Sequence, residues 1–167
     1  SIIDGEHIIY NKKGETINLY AAFDIYFIDK KNVTPLAFAT TSIAELGEKA
    51  MQYRLPILTT LIKKLNPKCI TPKEKCSIRF ETKKFKVDSP SQSIFQGCAQ
   101  ILQNVKDSLF EYETDGLIFT PMNTAVGQNK VGSKAPPFKI TWEGSFKWKP
   151  PEFNTIDFLI TINKSTM

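Results

Sequence analysis

Histidine occurs once in these 167 residues, arginine twice and cysteine three times. No apolar run approaches the ~20 residues that a membrane-spanning helix requires, so a helical span is excluded and no membrane partner is expected. Cys69, Cys76 and Cys98 are odd in number and lack C-x-x-C spacing. That argues against a disulfide framework and a tetrahedral zinc site, and it suits idle thiols in a reducing compartment. The first residues, Ser1-Ile2-Ile3-Asp4-Gly5-Glu6, have neither the basic stretch nor the apolar core of a secretory signal. They also lack an initiator Met, so the chain is expected to begin partway through a longer protein. Disorder and low complexity are excluded by 41% apolar and 23% charged residues, the composition of an ordinary folded domain. Residues 1–167 read as a single domain, able to bury roughly 70% of the surface its unfolded form exposes.

What is abundant is lysine, which supplies all but two of the 22 basic residues. Heavy Lys, Ile and Asn usage is the mark of an AT-rich genome. The net charge of +5 is concentrated between Lys63 and Lys86, where nine basic residues face only Glu74 and Glu81. Such a stripe attracts RNA through phosphate contacts and counterion release. Equally, it is what a solvated strand edge protected from aggregation looks like, and it lacks the interleaved aromatics of single-strand binders.

Along the chain, residues 1–10 read as a strand, Asn11-Lys12-Lys13-Gly14 as a turn, and Ile17 to Asp29 as a buried strand completing a hairpin. From Ser42 the period becomes helical, through Ile43, Leu46, Ala50 and Met51. Arg54-Leu55-Pro56 is expected to interrupt that helix, with a second one over Ile57–Leu65 and a loop bracketed by Pro67 and Pro72. Ser77 to Val87 alternates as a strand. Ser91 to Tyr112 gives the clearest helix, with Ile94, Cys98, Ile101, Leu102, Val105 and Leu109 on one core-facing stripe. Strands over 116–120, 138–148 and 155–162 follow, with a long polar loop from Pro121 to Pro137. Clustered strands separated by irregularly spaced helices predict an α+β fold. Gly127 to Lys134 has the outline of a phosphate-binding loop with its last pair exchanged, but Pro136 and Pro137 preclude the helix such a loop must open.

Four segments set charge inside or beside apolar strands, where it is costly unless paired or facing a cleft. Asp4-Gly5-Glu6 puts two carboxylates on one strand face. Phe23-Asp24-Ile25-Tyr26 carries a lone acid in an apolar strand. Asp115-Gly116-Leu117-Ile118-Phe119 brings an acid and a glycine into a third. Lys147-Trp148-Lys149-Pro150 presents two ammonium groups on one face and Trp148 on the other. Three carboxylate segments and one double lysine form a set suited to a metal-bound polyphosphate.

In this order, with Asn154-Thr155-Ile156-Asp157-Phe158 at the end, the segments resemble the later motifs of the covalent nucleotidyltransferases, the superfamily of mRNA capping enzymes and polynucleotide ligases. The wording of Asp115–Pro121 and of Lys147–Pro150 is similar to the capping guanylyltransferase form. The resemblance spans residues 4 to 158. It implies a nucleotidyltransferase fold of largely antiparallel sheets with flanking helices. The chain would then be the C-terminal two-thirds of that domain, from a large DNA virus.

The resemblance also implies a chemistry. A lysine attacks the α-phosphate of GTP with Mg²⁺ or Mn²⁺, pyrophosphate leaves, and GMP passes to the diphosphate 5′ end of nascent RNA. Positioning and charge neutralisation dominate such a transfer. Glu6 would hold the ribose and Phe23 would stack on guanine. Asp115, with Glu6, would serve the metal, and Lys147 and Lys149 would grip the α-phosphate. Strand alternation also puts Phe23 on a face with Leu19, Ala21, Ile25 and Phe27, so core packing competes with stacking. Asp24 is read as a possible structural hydrogen-bonder, and His7, opposite Glu6, as structural.

The family's nucleophile lies in a Lys-x-Asp-Gly motif, and no lysine here precedes Asp-Gly at that spacing. The expected partners are therefore GTP, the RNA 5′ end, and the missing N-terminal segment and oligonucleotide-binding domain of a parent protein. Localisation would be cytoplasmic, in a viral factory or virion, or nuclear if the source is cellular. The rival readings are an ATP-dependent ligase domain and a non-catalytic nucleotide- or RNA-binding module.

Overall fold

The structure, a computed structural model, describes residues 1–41, 50–65, 78–134 and 142–161. The expected helix start at Ser42, the Pro67–Pro72 loop and the beginning of the 138–148 strand lie outside these residues. So do three lysines of the basic stripe, Lys68, Lys73 and Lys75.

The fold is mixed α+β. Strand β1 (Ile2–Tyr10) turns through Asn11–Gly14 into β2 (Thr16–Ile28), forming the expected hairpin. The Asn11 side chain organises the turn by accepting from the Lys13 and Glu15 backbone N–H groups, and Gly14 supplies a left-handed φ of 79°. Strand β2 is the centre of the sheet. Along its other edge it pairs antiparallel with the two-residue β3 (Lys31–Asn32) and in parallel with β4 (Arg79–Thr82). Among the described residues this is the one parallel pairing; the others are antiparallel, in keeping with the expectation of largely antiparallel sheets. Strand β4 is shorter than Ser77–Val87. After Lys83 donates its N–H to the Ala22 carbonyl at 2.7 Å, residues 84–87 leave the ladder.

Helix α1 (Arg54–Lys64) covers this sheet, and Ala22, Ile25, Val33, Ile57 and Leu58 form the core between them. Each large apolar side chain buried there contributes roughly 1.5–3 kcal/mol. The sequence expectation fails at the helix start: Arg54-Leu55-Pro56 opens α1. The N–H groups of Arg54 and Leu55 donate to the carbonyls of Ala37 (3.0 Å) and Phe38 (2.8 Å), and Pro56, still in the first turn, has no N–H to leave unpaired.

Helix α2 (Ile94–Lys106) is capped by a reciprocal Ser93–Gln96 box and ends where Ser108 takes a left-handed φ of 55°, short of the predicted Tyr112. Its stripe from Ile94 to Val105 is half-buried, and Leu109, beyond the helix, is exposed.

A second, two-stranded sheet pairs β5 (Leu117–Phe119) with β6 (Phe146–Trp148). Residues 155–161, expected as a strand, form none. Ile156, Phe158, Leu159 and Ile160 are exposed, and no ladder partner lies beside them among the described residues. A strand exists only where its N–H and C=O groups find a neighbour.

Candidate functional site

The first two charged segments meet in the hairpin, where Asp4 lies opposite Asp24. The ladder there is irregular: Gly5 pairs with Ala22 and Asp4 with Asp24, so Phe23 is an extra, bulged residue. The bulge takes Phe23 out of the fully buried set of β2. Ala21, Ala22, Asp24 and Ile25 are buried while Phe23 is half-exposed. Lys83, from the end of β4, sets its ammonium 5.5 Å from the centre of the Phe23 ring and 2.6 Å from Glu6 Oε2. Glu6 and Phe23 are thus brought together around a lysine that the sequence reading did not single out as a site residue.

Asp24 points inward, where Arg54 receives it. The Arg54 guanidinium, with no exposed surface, donates from Nε to Asp24 Oδ1 at 2.9 Å and from Nη2 to Oδ2 at 3.2 Å. Its Nη1 donates to the carbonyls of Leu36 and Thr124, the latter at 3.0 Å, and the group lies over the Phe38 ring at 5.4 Å. Asp24 also accepts from the Ile25 N–H at 2.7 Å. Burial pushes the Asp24 carboxyl above its ordinary range, and the Arg54 hydrogen bonds and charge pull against that rise. Asp24 is therefore structural. The need for a partner was legible in a lone acid on an apolar strand; the identity of Arg54 was not.

The third and fourth segments meet in the β5–β6 pair. Register sets Ile118 opposite Lys147 and Leu117 opposite Trp148, so the lysines share one face and Trp148 takes the other. Lys149 Nζ lies 2.6 Å from Asp115 Oδ2. That hydrogen bond, with the Lys149 charge and a smaller contribution from Lys147, holds the Asp115 carboxyl below its usual value. Gly116, at a φ of 148°, lets the strands approach: a Cβ there would collide with the Trp148 carbonyl oxygen.

Tyr112, three positions before Asp115, lies near the acids of the first sheet. Burial raises its hydroxyl pKa first, and the nearby charges of Glu6 and Glu81 raise it further. His7 points away from Glu6, as expected, and its Nε2 lies 2.6 Å from Asn18 Oδ1. Gly127–Lys134 forms turns rather than a phosphate loop, with the Gly132 N–H donating to the Pro35 carbonyl at 2.7 Å.

Three of the six described basic residues of the stripe have intramolecular partners. Arg79 pairs with Glu81 at 3.1 Å and with Glu111, Lys83 with Glu6, and Lys84 lies over Phe110. This favours the solvated-edge account of those residues. Among the described residues no three His, Cys, Asp or Glu side chains gather into a metal-binding group. Two shallow grooves, of about 320 and 390 Å³, border the start of α1, and neither is lined by Glu6, Phe23, Asp115, Lys147 or Lys149. In comparisons with known proteins the chain matches no family model, no curated protein and no solved structure.

Proposed function

We propose that this chain is the nucleotide-handling part of an mRNA guanylyltransferase, acting on GTP and a divalent cation. The observation that carries the reading is the β5–β6 pairing, which joins Asp115-Gly116 to Lys147 and Lys149 with an ammonium on the carboxylate. These are the two segments whose wording resembles the capping family most. Two lysines on one strand face would neutralise a phosphate as pyrophosphate departs, the largest service a protein gives this reaction.

Support also comes from the hairpin, where a half-exposed aromatic ring and a carboxylate stand side by side. Phe23 would take the base and Glu6 the ribose, with Lys83 displaced from their shared position. Glu6 and Asp115 each carry a lysine ammonium at 2.6 Å, and Asp115 is the more exposed of the two acids. Mg²⁺ is commonly held by one or two carboxylates plus substrate phosphates, so Asp115 is the residue that would receive Mg²⁺ or Mn²⁺ delivered with the nucleotide. The cation would add charge neutralisation at the reacting phosphate.

The test is titration calorimetry of the chain with GTP and with ATP in the presence of Mg²⁺. Saturable binding of GTP in preference to ATP, weakened by Lys147→Ala and Lys149→Ala, is the expected result. A preference for ATP would move the assignment to a ligase, and a folded chain that binds neither would overturn it.

A further inference from the structure

We propose that Tyr26 is a positioning residue for the Glu6–Phe23 site, its hydroxyl tying the bulged part of β2 to β1 and so fixing the direction of the Phe23 ring. That the ring serves a nucleobase rests on the reading above; the positioning rests on the strand register and the Tyr26–Asp4 hydrogen bond.

An unbroken two-residue period would send Phe23 into the core with Leu19, Ala21 and Ile25. It does not, because β2 holds more residues than β1 opposite it. Phe23 is unpaired between Ala22 and Asp24, and Tyr26 is unpaired between Ile25 and Phe27, which face Ile3 and Ile2. Bulges redirect side chains, but each also removes ladder bonds that would hold the strand in place. Other contacts must supply that restraint.

Three do so around Phe23. Asp24, gripped by Arg54, accepts the Ile25 N–H and anchors the segment to α1. The Lys83 N–H on the Ala22 carbonyl anchors it to β4. The Tyr26 hydroxyl donates to Asp4 Oδ2 at 2.5 Å, crossing to the strand that carries Glu6 two positions on. Gly5 between them leaves room for Tyr20, whose ring would meet any Cβ there at 2.5 Å and whose hydroxyl donates to the Ile3 carbonyl. Burial and the Asp4 hydrogen bond push the Tyr26 hydroxyl pKa up, so the group stays a donor throughout the neutral range. Asp4, the first residue of Asp4-Gly5-Glu6, thereby acquires a task distinct from ligand binding.

The experiment reads Phe23 directly before any ligand is added. The Lys83 side-chain protons, lying over the ring, carry its ring current in a carbon–proton NMR spectrum. Tyr26→Phe and Asp4→Ala should move them towards the value seen in Phe23→Ala, whereas Asp4→Asn, which keeps an acceptor, should leave them near wild type. Binding then separates positioning from general stability. Tyr26→Phe should weaken GTP about three- to tenfold, the worth of one hydrogen bond. It should leave inorganic tripolyphosphate, which has no base, unchanged. In a Phe23→Ala background the same change should cost nothing further. Unmoved Lys83 signals in folded Tyr26→Phe, or equal weakening of GTP and tripolyphosphate, would overturn the assignment. A wild-type chain that binds no GTP would overturn the nucleotide reading, while the Lys83 signals would still decide the positioning.

Discussion

Arg54 and Asp24, thirty positions apart, form a bidentate ion pair in which the guanidinium has no exposed surface at all. The pair joins β2 to α1, and through the carbonyls of Leu36 and Thr124 it collects two loops as well. Removing one partner of a buried pair strands the other charge, at a cost of about 3–5 kcal/mol. Arg54→Met and Asp24→Ala should each lower stability by that order in urea unfolding. The double variant should cost clearly less than their sum; simple additivity would mean that the two groups do not depend on each other.

The Asp115–Lys149 contact should show itself in titration rather than in stability. Asp115 is held below the ordinary carboxylate value, so its ion pair is intact above that value and is lost as pH falls through the lowered one. Because both groups are substantially exposed, the energetic contribution is small. Carboxyl NMR should place the Asp115 midpoint below ~3.9, and Lys149→Ala should raise it more than Lys147→Ala does. A midpoint at or above the ordinary value in the wild-type chain would contradict the geometry.

Gly116→Ala should loosen the β5–β6 pair, because a methyl group has no room beside the Trp148 carbonyl and the backbone there is unfavourable for other residues. A strained position of this kind costs about 1–3 kcal/mol. Amide exchange at Leu117 and Phe119 should accelerate while that of β2 stays slow. Uniform acceleration everywhere, or none, would show that Gly116 does not control this pairing.

With labelled GTP and Mg²⁺, the chain alone should form no acid-stable GMP adduct, since it contains no Lys-x-Asp-Gly. Joined to a segment that supplies that motif, it should form lysyl-GMP. Lys147→Ala or Lys149→Ala should then slow single-turnover formation roughly 10²–10³-fold, with melting shifts within about 0.5 kcal/mol. Lys→Arg should not rescue, because a planar fork does not replace a compact ammonium. Near-normal rates in both alanine variants would remove these lysines from the chemistry.

Much of the first sheet was legible because its signals are local. A run of aromatic and branched residues without a breaker, and a turn set by Asn11 and Gly14, define the β1–β2 hairpin without reference to anything distant. The acids in it, Asp4, Glu6 and Asp24, stood out for the same reason, as charges out of place in apolar strands, whereas Phe23 was singled out by resemblance alone. What escaped depends on partners remote in sequence. The bulges at Phe23 and Tyr26 require Arg54 and Asp4 to hold them, and no period along β2 announces them. The start of α1 was misplaced because Pro56 reads as a breaker until the carbonyls of Ala37 and Phe38 are seen taking the first N–H groups. Residues 155–161 carry strand propensity, but propensity cannot create a neighbouring strand.

The parallel pairing of β4 with β2 has a consequence in time. Leu19 and its partner Arg79 are about sixty positions apart. At the ribosome's ~5–20 residues per second, β4 emerges some 3–12 s after β2. The hairpin closes in microseconds, so a nascent chain waits through that interval with one edge of its central strand bare. Loop closure over such a span is also slow to reward the chain. Production of soluble protein should therefore depend on how quickly β4 is delivered. Slowing translation between the two strands, with no change to any residue, should increase aggregation of this chain.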